Sequence, residues 1–325
     1  MGQVRQAFSH WHSAYYQPGW AAQQAAGRET AVFSISGWTD DLFPPVESFR
    51  MFNYLKSLDP RWPVAVTVGD IGHSRAQNKP GTWQRINDQA FQFLQSQING
   101  AHQQQTTVSS QVTTCNPSLT PPAEMLTSTT PQGLANGTLT VDASAKPAVL
   151  DPASGTGDPD GVGTDAVAGE YVPNSGGAGC RAATPALPAP AGPVGYRAYS
   201  APLQQRATTV GIQYVQASYT ASPGDTAVLA ARVWDVAPDG SALLVTRGVY
   251  RFDFFYGDPP AGTVRVPFYG NQWNLAPGHR VRLDLQQVDT PTYRPPTGLV
   301  STLSLSDIHL VLPTRNAGST SVPAS

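Results

Sequence analysis

Charged residues are scarce in this sequence: they make up 13% of its 325 residues, about half the usual share for a soluble protein. The net charge is −2, and Lys and Arg form no dense run of the kind that nucleic-acid-binding surfaces carry. No apolar stretch reaches the ~18 residues that a membrane-spanning helix requires. We therefore expect neither a nucleic-acid partner nor a membrane span.

Cysteine is equally scarce, with only Cys115 and Cys180 in the chain. Neither has a C-x-x-C partner or a neighbouring histidine, and no cofactor motif is present, so we expect no metal and no cofactor. Two free thiols are one interpretation. We favour a disulfide between them, because the surrounding sequence offers little else to order it. A disulfide indicates an extracytoplasmic or secreted protein, although Met1–Trp20 lacks the apolar segment of a signal peptide.

Apolar runs and amphipathic segments alternate along the first hundred residues. The runs at 30–38 and 63–69 predict strands, and the apolar spacing at 46–58 and 82–98 predicts helices. Strand, helix, strand and helix in this order predict parallel pairing in an α/β sheet. Two strands are too few for a stable sheet of this type, so we interpret them as the edge of a larger one.

The rest of the chain is rich in Gly and Pro, which number 30 each. Residues 105–195 read as a loop-rich segment in which GTLTVDA, at 137–143, is a candidate for a first strand of the β-domain. Residues 196–325 alternate in polarity, with turns about every ten residues, which is typical of a β-sandwich or jelly roll. We predict that residues 1–104 form the first domain part, which contains the α/β sheet edge, and that residues 1–28 within it are helical with a break at Pro18-Gly19.

Two polar side chains follow the two predicted strands. Asp40 lies in GWTDDLFP, and His73 lies 33 positions later in VGDIGHS. One strand–helix–strand step separates them, so both should emerge at the same edge of the sheet. A carboxylate beside an imidazole is the acid and base of a serine-hydrolase triad, and acid before base is the α/β-hydrolase order. The alternatives are a helix-capping Asp40 and a structural His73, and Asp41 is the less favoured acid.

A nucleophile for this pair is not evident. The sequence contains no G-x-S-x-G motif, which places the serine of an α/β hydrolase on a sharp turn. Ser34 and Ser36 lie inside a predicted strand, and Ser74 lies beside His73 without that motif. An acid and base without a serine have no group to activate.

Several segments resemble the Xaa-Pro dipeptidyl-peptidase superfamily, which includes cocaine-esterase-type acyl hydrolases. GWTDDLFPP and GDIGHSRA are similar to its acid and base loops. ARVWDVAPDGSALLVTRG at 231–248 and PGHRVRL at 277–283 are similar to strands of its C-terminal β-domain. The resemblance covers residues 30–100 and about 195–313. It implies the C-terminal part of an α/β hydrolase followed by a galactose-binding-like jelly roll.

Carried over by position, the resemblance implies that Asp40 is the triad acid and His73 the triad base. Family members hold several hundred residues before the acid loop, including the nucleophile and usually a helical cap, of which residues 1–28 are interpreted as a remnant. We therefore expect the C-terminal portion of a serine hydrolase for acyl ester or Xaa-Pro peptide substrates, inactive unless an N-terminal half completes it. The alternative is a non-catalytic jelly-roll module that binds carbohydrate or protein and keeps a vestigial hydrolase edge.

Overall fold

The computed structural model describes two compact units, one within Met1–Leu134 and one within Ala135–Ser325. The described residues are 15–40, 42–73, 78–100, 107–114, 124–154, 184–185, 195–289, 293, 295–316 and 318–324. No helix among these residues is both long and apolar enough to cross a membrane. The α-helices of the first unit are α1 (Gln17–Ala25), α2 (Val46–Leu58) and α3 (Pro80–Ile98).

The first unit is built on a four-stranded sheet. Its strands, in spatial order, are β1 (Val32–Gly37), β2 (Val64–Gly69), β3 (Val108–Gln111) and β4 (Met125–Ser128). The predicted parallel pairing of β1 with β2 is confirmed, and β3 extends the parallel arrangement before β4 pairs antiparallel with it. Strands β3 and β4 lie within the segment that the sequence predicted to be rich in loops.

Helix α2 forms where the apolar spacing predicted it. It begins directly after Pro45, and it buries Phe49, Phe52 and Leu55, which lie on one helical face. Helix α1 begins at Gln17, next to the break predicted at Pro18-Gly19, and the helical segment predicted before residue 15 lies outside the described residues. Pro18 lies in the first turn, where the N–H that proline lacks has no partner within the helix.

Helix α3 differs from its prediction on one flank. The sequence placed apolar residues along one side of this helix: Trp83, Ile86, Ala90, Phe93 or Phe91, Leu94 and Ile98. Ile86 and Phe93 are buried, whereas Leu94 and Ile98 are 54% and 81% exposed. The physical reason is that α3 packs on β1 and β2, and β1 is the last of the described strands in this sheet, so the outer flank of the helix has no described strand beneath it.

The second unit consists of two mostly antiparallel sheets. Its strands are β5 (Gly137–Asp142), β6 (Ala148–Leu150), β7 (Thr184–Pro185), β8 (Tyr196–Tyr199), β9 (Ala207–Gly211), β10 (Tyr214–Ala221), β11 (Thr226–Val236), β12 (Ser241–Asp253), β13 (Ala261–Pro267), β14 (Asn271–Leu275), β15 (Arg280–Gln286), β16 (Leu303–Thr314) and β17 (Thr320–Pro323). One sheet contains β13-β10-β16-β5-β17 together with β6, β9 and β14, and the other is ordered β7-β12-β11-β15-β8.

A single apolar core joins these two sheets. It combines side chains such as Val215 and Leu310 from the larger sheet with Leu229 and Leu283 from the smaller one. The core residues alternate along strands β11 and β15, as the sequence pattern predicted for an all-β domain. Strand β9 ends at Gly211, whose φ of 109° interrupts the extended backbone before β10 begins.

The boundaries between the units differ from the predicted ones. The sequence placed divisions after residues 104 and 195, whereas the compact units divide after Leu134. Strands β3 and β4 therefore belong to the first unit, and β5 and β6 to the second. Composition alone concealed this division, because these short strands are as rich in Ser and Thr as the loops between them. Cys115 and Cys180 lie outside the described residues.

Candidate active site

Asp40 occupies the turn that follows β1. Its Oδ1 accepts hydrogen bonds from the backbone N–H groups of Leu42 at 3.0 Å and Phe43 at 2.9 Å. The preceding residue ties this turn to the loop after β2, because the Thr39 hydroxyl donates to the Ile71 carbonyl oxygen at 2.9 Å. The local backbone therefore fixes the Asp40 carboxylate at the carboxyl end of the sheet.

His73 lies in the loop after β2, beside Asp40. Its Nδ1 is 2.8 Å from Asp40 Oδ1, and the Phe43 ring lies 5.3 Å from the imidazole, centre to centre. The Asp40 side chain is 14% exposed, whereas that of His73 is 39% exposed. The structure thus brings the two residues singled out in the sequence into direct contact and leaves the imidazole accessible. Asp41 and Ser74 lie outside the described residues.

Two glycines permit the close approach of these loops. A Cβ at Gly37 would overlap the Ile71 carbonyl oxygen, and a Cβ at Gly72 would lie 2.7 Å from the Thr39 carbonyl oxygen and 2.8 Å from the Asp40 nitrogen. Both distances are shorter than real Cβ contacts allow. The Asp40 and His73 loops therefore pack backbone against backbone.

Asn78 closes the His73 loop on itself. Its Oδ1 accepts from the Gly72 N–H at 3.1 Å, and its Nδ2 donates to the His73 carbonyl oxygen at 2.9 Å. Its φ of 47° is in the left-handed region, which asparagine tolerates better than most residues. The side chain holds the backbone on both sides of the imidazole.

The base of the same loop is fixed by a buried ion pair. Lys79 Nζ donates to Asp70 Oδ2 at 2.8 Å, and the two side chains are 4% and 2% exposed. Thr114, after β3, completes the arrangement: its carbonyl and hydroxyl oxygens accept from Lys79 at 2.7 Å, and its N–H donates to Asp70 at 3.1 Å. The loop between Asp70 and Lys79 is thereby fastened to a neighbouring strand end.

The contact between Asp40 and His73 selects one imidazole tautomer. An ionised carboxylate only accepts hydrogen bonds, so Nδ1 of a neutral His73 carries the proton. Nε2 then has a free lone pair and is the basic nitrogen, which is the form that takes a proton from a serine hydroxyl in a triad. The hydrogen bonds recorded among the described residues include none between the His73 ring and a serine.

The serines of β1 have other positions. The Ser34 hydroxyl donates to the Ser48 hydroxyl at 3.0 Å, and Ser36 is buried in the strand. Within the described ranges no group of three or more His, Cys, Asp or Glu side chains could hold a metal ion. Among the described residues, the site consists of the Asp40–His73 contact and the side chains that hold its two loops.

The second unit holds another Asp–His contact, between Asp235 and His279. His279 Nδ1 lies 2.7 Å from Asp235 Oδ1, while Trp273 Nε1 donates to Asp235 Oδ2 at 2.9 Å. Asp235 is 5% exposed and links residues from both sheets. His309 contacts Asp307 at 3.0 Å on the surface. The sequence places His279 in a turn–strand motif and His309 in an alternating strand, a pattern that favours structural roles, and these contacts are of that kind.

Sequence reasoning missed Asn78 and Lys79. No pattern marks either residue, since each acts through the three-dimensional path of a loop. The glycines gave a partial signal for the close packing of the two loops, because Gly37 lies three positions before Asp40 and Gly72 directly precedes His73.

Comparison with protein-family models and with curated protein sequences found no match. Solved structures do match. An aminopeptidase from a marine sediment archaeon, Thaumarchaeota archaeon, superposes with a TM-score of 0.61 at 16% identity, covering 88% of this chain and 55% of its own. An α-amino acid ester hydrolase superposes with a TM-score of 0.54 at 14% identity, and the match covers 91% of this chain and 57% of the hydrolase chain. A CocE/NonD family hydrolase from Staphylococcus aureus superposes with a TM-score of 0.56 at 9% identity, and the match covers 89% of this chain and 54% of the hydrolase chain.

These matches show that the chain has the fold of peptide- and ester-cleaving hydrolases of this kind. The resemblance drawn from the acid loop, the base loop and the β-domain motifs is confirmed at the level of the fold. The chain spans little more than half of the length of each of these structures.

Proposed function

We propose that this chain supplies the acid and the base of a serine hydrolase that cleaves acyl ester or Xaa-Pro peptide bonds. The observation that supports the proposal is the 2.8 Å contact between Asp40 and His73 at the carboxyl end of a parallel sheet. The neighbours in fold include an aminopeptidase and an ester hydrolase, which supports a peptide or ester substrate for this chain. The second unit is then the jelly-roll domain of such an enzyme.

In the proposed reaction each residue has one role. A serine outside the described residues attacks the substrate carbonyl carbon through Oγ, and its proton passes to His73 Nε2. Asp40 holds the ring in the required tautomer and stabilises the imidazolium that forms. The imidazolium then gives its proton to the leaving alkoxide or amine as the tetrahedral intermediate collapses, and water repeats the cycle on the acyl-enzyme.

The exposure of the pair supports this role over a purely structural one. The His73 imidazole is 39% exposed although its Nδ1 is already bonded to Asp40, whereas His279, in the other Asp–His contact, is 24% exposed. Asp40 is held by two backbone N–H groups in addition to His73, so its position does not depend on the imidazole. A fixed acid and an accessible base form the geometry that a substrate and a serine require.

The direct test has two measurements. The tautomer of the His73 imidazole is determined by ¹⁵N NMR, and the rate of hydrolysis is measured with a p-nitrophenyl ester and with an Xaa-Pro nitroanilide. We expect an Nδ1-protonated ring in the unmodified chain and loss of that preference in Asp40→Asn. Asp59→Asn, which alters a carboxylate bonded to Arg61, is the matched control. Turnover by the chain alone that is abolished in His73→Ala would overturn the requirement for a serine from outside. An imidazole that is insensitive to Asp40→Asn would instead favour the non-catalytic binding module.

A further inference from the structure

A layer of polar side chains lies between helix α3 and the sheet beneath it. The Thr67 hydroxyl in β2 donates to Gln89 Oε1 in α3 at 3.1 Å, and it lies 2.8 Å from the Ser109 hydroxyl in β3. Gln89 Nε2 in turn donates to the Met125 sulfur in β4 at 3.6 Å. At this first level of the layer, the polar side chains therefore bond to one another directly.

Gln111 and Thr82 form a second level, nearer to the carboxyl ends of the strands. Gln111 is two residues beyond the serine of the first level, so it lies on the same face of β3. Thr82 is seven residues, about two helical turns, before the glutamine of the first level. The two side chains approach each other over Gly69, because a Cβ at this glycine would lie 3.3 Å from Gln111 Oε1 and 3.1 Å from Thr82 Cγ2. Gly69 thus stands where Thr67 supplies a hydroxyl in the first level.

The polar atoms of the second level are enclosed without protein partners. Gln111 and Thr82 are each 0% exposed. In the part of the chain that the structure describes, neither Gln111 Oε1 nor Gln111 Nε2 has a hydrogen-bond partner, and the same holds for Thr82 Oγ1. Exchanging the oxygen and the nitrogen of the amide would not change this, since both positions lack a partner. Enclosed polar groups are costly unless protein or ordered water satisfies them, so this level requires a bound molecule.

We propose that Gln111 and Thr82 hold an internal water molecule, which supplies the hydrogen bonds that a side chain at Gly69 cannot. A glutamine amide both donates and accepts, and a threonine hydroxyl does the same, so one water can bond to both side chains. Buried waters typically make about three hydrogen bonds to groups of this kind. A metal cation fits less well, because the amide N–H groups repel it and neither side chain carries a charge.

The water site lies beside the Asp70–Lys79 ion pair. Gly69 directly precedes Asp70, and the Thr82 N–H donates to the Lys79 carbonyl oxygen at 3.0 Å. The bound water therefore forms a second link between β3 and the start of α3, in addition to the link that Lys79 makes through Thr114. It supports the base of the loop between the two charges, whether or not the chain takes part in hydrolysis.

A crystal structure that shows ordered solvent tests the site directly. We expect a water within about 3.2 Å of both Gln111 and Thr82. A direct hydrogen bond between the two side chains would overturn the proposal, and so would the absence of any solvent molecule between them. A bound atom at about 2.3–2.6 Å from the oxygens, the distance typical of a calcium ion, would replace the water by a cation.

Hydrogen exchange of the β3 amides in the full chain tests the site by the sign of one effect. Gln111→Met removes the amide but keeps a side chain of similar length. If a water is bound, this variant leaves the water and Thr82 without their partner, and exchange should accelerate about tenfold. If no water is bound, the same variant removes an unsatisfied amide, and exchange should slow down. Gln95→Met, at an exposed position of α3, is the matched control and should leave these amides unchanged.

Thr82→Val provides a second variant that preserves the shape of the side chain. It should also accelerate exchange of the β3 amides, because it removes the other partner of the water. The combined change Gln111→Met and Thr82→Val should accelerate exchange by less than the product of the two single effects, since both act through one water. Effects that multiply would show that the two side chains do not share a bound molecule. Circular dichroism checks that each variant is folded.

Discussion

Asp70 and Lys79 form a buried ion pair at the two ends of the loop that carries His73. Lys79 Nζ lies 2.8 Å from Asp70 Oδ2, and both side chains are almost completely enclosed. Burial removes both charges from water, so each depends on the other and on Thr114 for its stabilisation. The position of the proposed base is thus tied to a charge pair that does not touch it.

Lys79→Met should therefore destabilise the first unit by about 3–5 kcal/mol, because it leaves the Asp70 carboxylate buried without its counter-charge. The two units need not unfold together, so hydrogen exchange of the β2 amides is the appropriate measurement. Arg61→Met is the control: it removes an exposed ion pair with Asp59, and should cost less than about 1 kcal/mol. The combined change Asp70→Asn and Lys79→Met should recover part of the loss, since the amide oxygen that replaces the carboxylate is uncharged and still accepts from the Thr114 N–H. Equal effects of Lys79→Met and Arg61→Met would contradict the interpretation.

Much of the first unit could be predicted because its apolar residues repeat at helical and strand spacings. Helix α2 begins and ends at the predicted residues. Strands β3 and β4 could not be predicted in this way. The sequence of β3, VSSQ, is largely polar and that of β4, MLTS, is half polar. Ser109, Ser110 and Gln111 are buried by the fold rather than by their own hydrophobicity. The exposed flank of α3 was missed for the converse reason, since an apolar pattern indicates which residues avoid water but not whether a strand lies beneath them.

The candidate site likewise contains residues that could be predicted from the sequence and residues that could not. Asp40 and His73 could be brought together from the sequence because consecutive parallel strands place their carboxyl ends at one edge of the sheet. The supporting residues Asn78 and Lys79 could not, because their contacts depend on how the loop after β2 turns back. The left-handed φ of Asn78 is part of that turn, and no periodicity encodes it.

Gly72→Ala should separate the Asp40 and His73 loops. Its Cβ would lie 2.7 Å from the Thr39 carbonyl oxygen, so backbone must move, at a cost of about 1–3 kcal/mol. We expect the ¹⁵N signals of His73 to lose the Nδ1-protonated preference in the same variant. Gly19→Ala, where a Cβ meets nothing within 4 Å in helix α1, is the control. It should be neutral or slightly stabilising, because alanine favours helix. Unchanged His73 signals in Gly72→Ala would show that the two loops tolerate a wider separation.

Tyr196 should lower the folding stability of the second unit at alkaline pH. Burial raises the pKa of its phenol from 10.0 to about 12. The folded state therefore keeps a proton that the unfolded chain releases, and stability falls as the pH rises from about 10 to about 12. Tyr196→Phe should flatten this part of the stability profile, whereas Tyr256→Phe, at an exposed position, should leave it unchanged. Thermal unfolding of each variant across this pH range is the measurement, and a slope that persists in Tyr196→Phe would assign it to another group.

His279 tests the distinction between a structural and a catalytic Asp–His pair. Its partner Asp235 is 5% exposed and accepts from Trp273 across the two sheets, so His279→Ala leaves a buried carboxylate oxygen without its donor. We expect a loss of about 1–3 kcal/mol in the unfolding free energy of the second unit. His309→Ala removes contacts of a surface histidine and should change that free energy by less than about 0.5 kcal/mol. Urea unfolding measures both free energies.

The contrasting expectation is for His73→Ala, which should abolish any hydrolysis by the completed site, whereas His279→Ala should leave the turnover of folded protein intact. Loss of turnover in folded His279→Ala would mean that the second pair, and not the first alone, serves the chemistry.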